Sequence, residues 1–429
     1  MLARALLAAV ALVAVACSAS DDDRPAPTTV PPTTSTTVTA RENVDGTLTI
    51  GALLPLTGLA APLGTPMLAA VEMAVEEINA AGGVNGRSVR LVVGDEGADS
   101  TTAAVALDRM LDVEQIDALV GPASSRVALA LLDRAVSARV LTCSPTNTAI
   151  ALSSFPSENL YFRTMPSDEL QGTALARAIA TSGRRSTSIL YPDDDYGRGF
   201  LGAMRTELDR LEIGVTTATA YDATATDITP AVTAAVDADP ESVAVIGLAE
   251  PGARLLAGLA DAGARPSVVP TFVSDGMRRS SLFELVDPGR PDAVAGIQGT
   301  SPSAVPAGAT WFTTAFEAHS GSGSLAYAPY AYDCVNLVAL SAVAAGTDDA
   351  LAVATRMVST SRSGTVCNTF AECLPLLADA RNIDLDGASG PIELRPGGDP
   401  SVGTYDLFTF DDQGRDALSR QLVVTARAQ

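Results

Sequence analysis

The sequence contains no lysine, one histidine and one tryptophan in 429 residues, and aromatic residues make up only 4% of it. All 28 basic residues are therefore arginine, which we interpret as compositional bias rather than as chemistry. The 50 acidic residues outnumber them, so the formal net charge is −22. Because nucleic-acid binding needs a basic surface, this charge excludes it as a function. The surface is instead strongly negative and self-repelling.

Catalytic and metal-binding patterns are also missing. The only histidine, His319, stands near no candidate serine, and no GxSxG turn, P-loop or GxGxxG fingerprint follows a predicted strand. With one histidine and no CxxC pair, metal ligation is not expected. The segment Asp384–Gly387 resembles the start of a calcium loop, but the twelfth position is Arg395 where such loops have glutamate. We therefore predict no enzyme activity, no metal and no cofactor.

The first sixteen residues have the pattern of an export signal. Arg4 gives the positive start, Ala5–Val15 the apolar core, and the small residues before Cys17 the cleavage site. The apolar run is too short for a transmembrane helix. Cys17 stands where a bacterial lipobox has its lipidated cysteine, although a bulky aliphatic residue is usual where Ala14 stands. We predict a signal peptide over residues 1–16 and lipidation of Cys17, with plain secretion as the alternative.

A low-complexity segment follows, and residues 17–46 are rich in threonine, proline and aspartate. Such a composition cannot bury a core and predicts an extended, disordered tether. Behind a lipidated cysteine, this tether would hold the folded part off the membrane. The predicted location is therefore outside the cytoplasm, at the cell surface or in the periplasm, with the chain anchored to the outer face of the plasma membrane.

Four further cysteines lie in this exported and therefore oxidising context. Cys367 and Cys373 close a short loop and are the obvious disulfide pair. Cys143 and Cys334 would then be either bridged or two buried thiols. Three pairings of four cysteines are possible, and spacing alone does not choose among them.

From Thr47 onward, predicted strands and helices alternate, beginning with a strand that ends at Pro55 and a helix over Met67–Ile78. This order predicts doubly wound parallel sheets. The alternation restarts after Thr164, so we predict two lobes joined by a multi-strand hinge with a cleft between them. Lobe 1 is assigned to residues 47–163 and 299–388, and lobe 2 to residues 164–298 and 389–429.

The stretch Asp117–Ala149 predicts a strand, a helix, a second strand and a polar loop. Hydroxyl side chains stand at the helix start and in the loop: Ser124, Ser125, Thr146 and Thr148. Both positions follow the carboxyl ends of neighbouring parallel strands, where open sheets bind ligands. A helix start also attracts anions through its unpaired N–H groups. We predict a site for a small carboxylate, and the alternative is that Ser124 only caps its helix and the loop is a solvated turn.

Several motifs occur in the order of a known family: IGALLPLTG, AVEEINAAGGVNGR, LVGPASS, SPTNT, YGRGF, LADAG, SDG, YAYD and DGASGPIEL. Through them the chain resembles the type I periplasmic binding proteins, specifically the branched-chain amino-acid (leucine/isoleucine/valine) receptors of ABC importers. The resemblance covers Thr47 to the C-terminus.

The resemblance implies a role for each residue at a motif position. The ligand's carboxylate would be held by Ser124, helped by Ser125, and by Thr148 with the backbone of Thr146. The α-ammonium group would bind Asp275, although this residue could also be only a turn residue. Tyr196 and Tyr327 would line the pocket, and Leu63 and Ala249 stand where the family has aromatic rings, which would reshape the side-chain pocket.

The function that this resemblance implies is an extracytoplasmic solute-binding lipoprotein. It would capture a small amino-acid-like ligand, branched-chain or related, in the interlobe cleft and deliver it to the permease of an ABC importer. Because neither lobe alone satisfies both charges of a zwitterion, such a ligand would close the lobes. The alternative is a sensory or regulatory lipoprotein of the same fold that acts through a protein partner.

Overall fold

A computed structural model describes residues 44–58, 60–306, 309–321 and 323–426. The predicted signal peptide, Cys17 and nearly all of the predicted tether lie outside the described residues. The described part contains two large sheets whose strands alternate with helices, so the predicted mixed α/β class with doubly wound parallel sheets is confirmed.

The first sheet has five strands, all parallel, in the order β2-β1-β3-β4-β5. Its elements are β1 (Thr49–Leu54), α1 (Ala61–Ala80), β2 (Arg90–Asp95), α2 (Ser100–Asp112), β3 (Ala118–Val120), α3 (Ser125–Ser137), β4 (Leu141–Ser144) and β5 (Tyr161–Arg163). A 3₁₀ helix over Ile150–Ser154 lies between the last two strands.

The second sheet has seven strands in the order β15-β14-β10-β9-β8-β6-β7. Its elements are α4 (Asp168–Thr181), β6 (Ser186–Pro192), α5 (Asp195–Arg210), β7 (Gly214–Tyr221), α6 (Thr229–Asp237), β8 (Val243–Val245), α7 (Ala249–Asp261), β9 (Thr271–Val273), α8 (Leu282–Val286), β10 (Gln298–Pro302), β14 (Val402–Phe410) and β15 (Asp416–Thr425). Strands β6 to β10 are parallel to one another. Strands β14 and β15 add to this sheet as an antiparallel hairpin.

The segment between β10 and β14 is mostly helical. It contains α9 (Thr310–Ser320), α10 (Ala328–Ala345), α11 (Ala350–Thr360), β11 (Thr365–Cys367), α12 (Phe370–Ala378), β12 (Ile383–Gly387) and β13 (Gly390–Pro391). The three short strands form a small sheet of their own in the order β11-β12-β13.

Each large sheet is covered on both faces. In β1, Ile50 and Leu54 pack against α1 and α10, whereas Leu53 points to the opposite face and packs against α2 and α3. In β8, Val243 packs against α6 and α7, and Ala244 packs against α4 and α5. This two-sided burial explains why the central strands β3 and β8 are apolar along their whole length.

One predicted boundary between the lobes falls inside a strand. Residue 299 is the predicted return to lobe 1, but β10 pairs with β9 at Gln298 and Gly299 and stays paired with β14 up to Pro302. We therefore propose that the chain crosses between the lobes after Pro302, and the remaining boundaries stay predictions.

The first helix starts earlier than predicted. It begins at Ala61 rather than at Met67, with one proline in its first turn and Pro66 inside it. Prolines usually mark a helix start, which is why the sequence favoured the later position. Gly64 lies so close to the end of β1 that an added Cβ would stand 1.8 Å from the Pro55 carbonyl oxygen. The extra turn is therefore fixed by packing against that strand.

Two disulfides are present in the structure. Cys367 joins Cys373, so the end of β11 is tied to α12. Cys143 joins Cys334, which ties the end of β4 to the middle of α10. Of the alternatives left open by the sequence, the structure has Cys143 and Cys334 bridged.

No single described helix is long and apolar enough to cross a membrane, and only α10 and α11 together, bent by 109°, reach that length and composition.

Candidate functional site

The site starts where β3 ends. Gly121 has a φ of +108°, and an added Cβ would lie 2.1 Å from the Leu53 carbonyl oxygen, so only glycine fits this turn. Ser124 then caps α3, with its Oγ accepting from the backbone N–H of Val127 at 3.4 Å. The capping alternative is therefore part of the structure. It does not exclude ligand binding, because a capping hydroxyl can still donate its own proton.

An internal carboxylate already occupies part of the predicted anion site. The backbone N–H groups of Ala123 and Ser124 donate to the two carboxylate oxygens of Glu96, at 2.7 Å and 2.9 Å. Glu96 is 2% exposed, and its burial raises its pKa, which these two N–H groups partly oppose. The expectation of unpaired N–H groups was therefore wrong for Ala123 and Ser124, the two residues just before α3, because a side chain from the end of β2 accepts from both.

The loop after β4 is held against the same helix start. The Thr146 hydroxyl donates to the Ala123 carbonyl oxygen at 2.7 Å, and Asn147 Nδ2 donates to the same oxygen at 2.8 Å. The backbone N–H of Ala149 points at Ser125 Oγ, 3.5 Å away. The structure thus brings the predicted hydroxyl residues of both loops together. Asn147 was not predicted, although its amide can serve several backbone groups at once.

A cavity of about 440 Å³ lies beside these loops, between the starts of α1 and α3. Its lining is mostly apolar and includes four predicted residues: Leu63, Ser124, Thr146 and Tyr327. Leu63 is 42% exposed, so its side chain is available for contact. Glu96 and Arg126 add two charged groups of opposite sign to the wall. The cavity therefore combines an apolar wall with hydroxyls at one end.

The predicted acid of the second lobe lies at the end of β9. Asp275 opens a 3₁₀ turn over Asp275–Met277, and the Gln171 side chain and the Gly276 backbone N–H lie close enough to its carboxylate to lower its pKa. The residue is half-buried, and desolvation raises its pKa. A partly exposed carboxylate with only neutral donors nearby is suited to an organic cation.

The two predicted tyrosines lie near this acid. The Tyr196 hydroxyl donates to Ser274 Oγ at 3.4 Å, and the charge of Asp275 adds to the rise in the pKa of both Tyr196 and Tyr327. Tyr327 has a φ of +57°, a left-handed conformation that is strained for a bulky residue. Such strain persists where the surroundings enforce it, often at binding sites. Tyr327 also lines the cavity, so one side chain contacts the cavity and is near enough to Asp275 to be affected by its charge.

A second acid, Asp168, lies close to Asp275 and was not predicted. It is the first residue of α4 and 2% exposed, and its backbone N–H donates to the Thr148 carbonyl oxygen at 2.9 Å. Burial raises its pKa to about 7, with a further contribution from the charge of Asp275 and opposition from Arg163. In the sequence, an aspartate after serine at a helix start indicates only a favourable dipole interaction, so no signal marked it.

Arg163 is a fully buried cation that links the site to the rest of the hinge. Its Nε donates to Asp399 Oδ1 at 2.7 Å, and Nη1 donates to the carbonyl oxygens of Asn147 and Ala149 at 3.1 Å and 3.0 Å. The same guanidinium donates from Nη2 to Ser153 Oγ at 2.7 Å. Arg163 therefore fixes the shape of the loop that carries Thr146 and Thr148. A lone arginine in a strand pattern gave no indication of this role.

Ala249 departs from the prediction. It is the first residue of α7, is 4% exposed and packs in the core beside β8, because its side chain points inward at the helix start. Its neighbours Leu248, 63% exposed, and Glu250 face outward instead. Ala249 therefore does not line the pocket in this structure.

The fold and the site define a class of protein: a two-sheet α/β binder with polar ligand groups at the carboxyl ends of parallel strands. The sequence model of the periplasmic binding protein family matches residues 47–402, so the chain belongs to that family. Branched-chain amino-acid receptors are among its relatives and structural neighbours, in agreement with the resemblance.

Known proteins similar to the chain cover most of its length. BasB, the chemotactic signal transduction system substrate-binding protein of Halobacterium salinarum, is 28% identical over 379 residues, covering 86% of this chain and 88% of BasB. Leu/Ile/Val-binding protein homolog 2 of Brucella abortus is 26% identical over 368 residues, covering 84% of this chain and 90% of that protein.

A solved structure supports the fold. LivJ of Streptococcus pneumoniae, a branched-chain amino acid transporter substrate-binding protein in complex with isoleucine, superposes with a TM-score of 0.67. It is 21% identical in sequence, and the match covers 88% of this chain and 99% of LivJ.

Family membership decides two of the sequence-based predictions. The related proteins are binding proteins and not enzymes, which agrees with the prediction of no enzyme activity. Periplasmic binding proteins work outside the cytoplasm, so the extracytoplasmic location is also supported.

Proposed function

We propose that this chain captures a small zwitterionic amino acid, branched-chain or related, between its two lobes and delivers it to the permease of an ABC importer. One observation carries the proposal. Hydroxyl groups at the ends of β3 and β4 and the carboxylate of Asp275 at the end of β9 provide opposite polarities, and Tyr327 lines the cavity beside the hydroxyls while feeling the charge of Asp275.

The carboxylate end of the ligand would bind neutral donors. Glu96 accepts from the backbone N–H groups of Ala123 and Ser124, just before α3. The donors that remain for the ligand are the Ser124 and Thr148 hydroxyls and the N–H groups of the first turn of α3. Ser125 supports the loop that carries Thr148 by accepting from Ala149. Hydrogen bonds from neutral groups to a charged acceptor are stronger than those between neutral groups, so a few such donors suffice.

The side chain of the ligand would lie in the cavity beside Leu63 and Met67. Its volume of about 440 Å³ is at the lower end of the range for small-molecule sites. The apolar lining favours an aliphatic or aromatic side chain, and leucine at position 63 in place of a ring leaves room for a bulkier one. The names of the Brucella relative and of LivJ, which refer to leucine, isoleucine and valine, support the same ligand class.

The anchoring part of the proposal rests on the N-terminus. The signal pattern over residues 1–16, the position of Cys17 and the low-complexity stretch after it favour a lipoprotein held at the outer face of the plasma membrane. Palmitate labelling of the wild-type chain, lost in Cys17→Ser, tests this. Labelling that persists in the variant would contradict it.

A second candidate function is sensing. The similarity to BasB, whose name assigns it to a chemotactic signalling system, favours a receptor that reports ligand to a protein partner. In that case the same ligand would be bound, but uptake would not depend on this chain.

A ligand screen tests the binding part. Thermal-shift and calorimetric titrations of the full-length chain with the proteinogenic amino acids and small amides should give at least one zwitterionic binder of micromolar affinity or better. Binding of none of them would overturn the amino-acid assignment. Uptake of that amino acid by cells lacking the gene separates the two functions, since an importer subunit is needed for uptake and a sensor is not.

A further inference from the structure

We propose that Asp168 is a second carboxylate of the ammonium subsite, so that the ligand's amine is bound by Asp168 and Asp275 together. The inference deepens the proposed function and rests on it. It names the chemical class more closely, because two carboxylates facing one cation favour a primary, protonated amine with several N–H donors.

The first observation is an unsatisfied carboxylate. Both oxygens of Asp168 are buried, and neither has a hydrogen-bond partner among the described residues. The Thr148 hydroxyl is close enough to lower the pKa of Asp168 but lacks hydrogen-bond geometry. A buried carboxylate without donors is costly, and such a group usually has a partner that completes it.

The second observation is the position of this carboxylate. Asp168 lies beside Asp275, near enough for the charge of one to oppose ionisation of the other, and its backbone is bonded to Thr148 of the other loop. The Tyr405 hydroxyl, close to both acids, is also buried without a partner in the described part of the chain. Two unused carboxylate oxygens and an unused hydroxyl therefore lie within electrostatic reach of Asp275.

The surrounding charges do not already neutralise the pair. Arg163 is the cation that acts on Asp168, but its N–H groups donate to Asp399, to the carbonyl oxygens of the loop and to Ser153. The charged and titratable groups that face Asp168 from neighbouring elements are Arg163 of β5, Asp275 after β9, Tyr196 of α5 and Tyr405 of β14. Arg395 forms ion pairs with Glu169 and Asp399.

A proton takes the place of the cation when the site is empty. Burial, with a contribution from the charge of Asp275, raises the pKa of Asp168 to about 7, so Asp168 is about half protonated at neutral pH. An arriving ammonium group favours the ionised form and displaces that proton. Binding should therefore release a fraction of a proton near neutral pH, and affinity should rise roughly tenfold from about pH 6 to about pH 8.

Calorimetry of the full-length chain with L-isoleucine in two buffers of different ionisation enthalpy measures the released protons. We expect release in the wild type and none in Asp168→Asn. Because a neutral amide mimics the protonated acid, this variant should bind at about pH 8 roughly as weakly as the wild type at about pH 6. Its affinity should not change over that range. Glu169→Gln serves as the control. It removes one negative charge at the next, more exposed position of α4 and should behave as the wild type.

The outcomes separate the two proposals. Two results would overturn the role of Asp168 and leave the proposed function standing. One is that the wild type binds L-isoleucine without releasing protons. The other is that Asp168→Asn keeps the affinity and the pH profile of the wild type. If no amino acid binds, the proposed function fails. Thermal unfolding of the protein without ligand then still tests whether Asp168 is a buried acid that resists ionisation. Because the pKa of Asp168 is higher in the folded than in the unfolded protein, the free energy of unfolding of the wild type should fall as the pH rises toward 7. Asp168→Asn should not show this fall. Identical profiles would contradict the acid pair.

Discussion

Two carboxylates at opposite ends of the proposed site have different roles at the scale of single residues. Glu96 is an internal anion that accepts from two backbone N–H groups and so keeps the start of α3 in place. Asp275 is half-buried and has only neutral donors, which leaves it able to accept from a cation. Since Glu96 repels an anion, the ligand's carboxylate must rely on hydroxyls further along, above all that of Ser124.

Asp275→Asn should weaken binding of the amino acid by roughly 2–5 kcal/mol, because a desolvated ammonium group loses its charged partner. Isothermal titration measures this directly. Asp209→Asn, on the exposed side of α5, removes the same charge from the same lobe and should leave affinity unchanged. Equal affinities of wild type and Asp275→Asn would remove this acid from the site.

Substitutions at Ser124 separate its capping role from its ligand role. Ser124→Ala and Ser124→Gly both lose the hydroxyl, so both should lose roughly 1.5–3 kcal/mol of ligand binding, as for a bond to a charged acceptor. Stability should respond differently: alanine costs about 1 kcal/mol at an N-cap, whereas glycine costs only a few tenths. Urea unfolding and titration of both variants measure the two effects. Unchanged binding in both would mean that Ser124 only caps α3.

At the scale of elements, α10 organises the site. Its first turn begins after Tyr327, Cys334 joins it to the end of β4, and the Asp333 carboxylate accepts from the backbone N–H groups of Ala388 and Ser389, both at 2.7 Å. Helix α10 is thus fixed both to the strand that precedes the Thr146 loop and to the turn after β12. The strained conformation of Tyr327 is held by these attachments.

Gly387→Ala tests the attachment between α10 and β12. An added Cβ would lie 2.0 Å from Asp333 Oδ1, so we expect a loss of roughly 1–3 kcal/mol in the free energy of unfolding, as for overpacked cores. Gly202→Ala is the matched control. It lies in α5 with nothing within 4 Å of the added atom, and should stabilise by about 0.5–1 kcal/mol. Chemical denaturation of both variants decides, and a Gly387→Ala protein as stable as the wild type would contradict the tight contact.

At the scale of the whole molecule, the order of strands and helices was predictable, because apolar periodicity and turn residues are local signals. Candidate site residues could be proposed from the sequence only where motifs mark them, as with Ser124 and Asp275. The contacts that change its chemistry join distant parts of the chain: Glu96 with the start of α3, 27 residues away, and Asp168 with Asp275 in another element. Ala249 was misplaced for the same reason, since the direction of a side chain at a helix start depends on what packs there.

The two-lobe arrangement predicts closure that depends on both charges of the ligand. The hydroxyl loops lie in the five-stranded sheet region and Asp275 in the seven-stranded one, so only a molecule with a carboxylate and an ammonium group can be bound by both at once. L-isoleucine should therefore reduce the radius of gyration measured by small-angle X-ray scattering. The same carbon skeleton lacking either the amine or the carboxylate should bind weakly and leave the radius unchanged, because a ligand shifts the equilibrium only by its difference in affinity for the two states. Equal compaction by all three molecules would mean that the apolar cavity, and not the pair of charges, brings the lobes together.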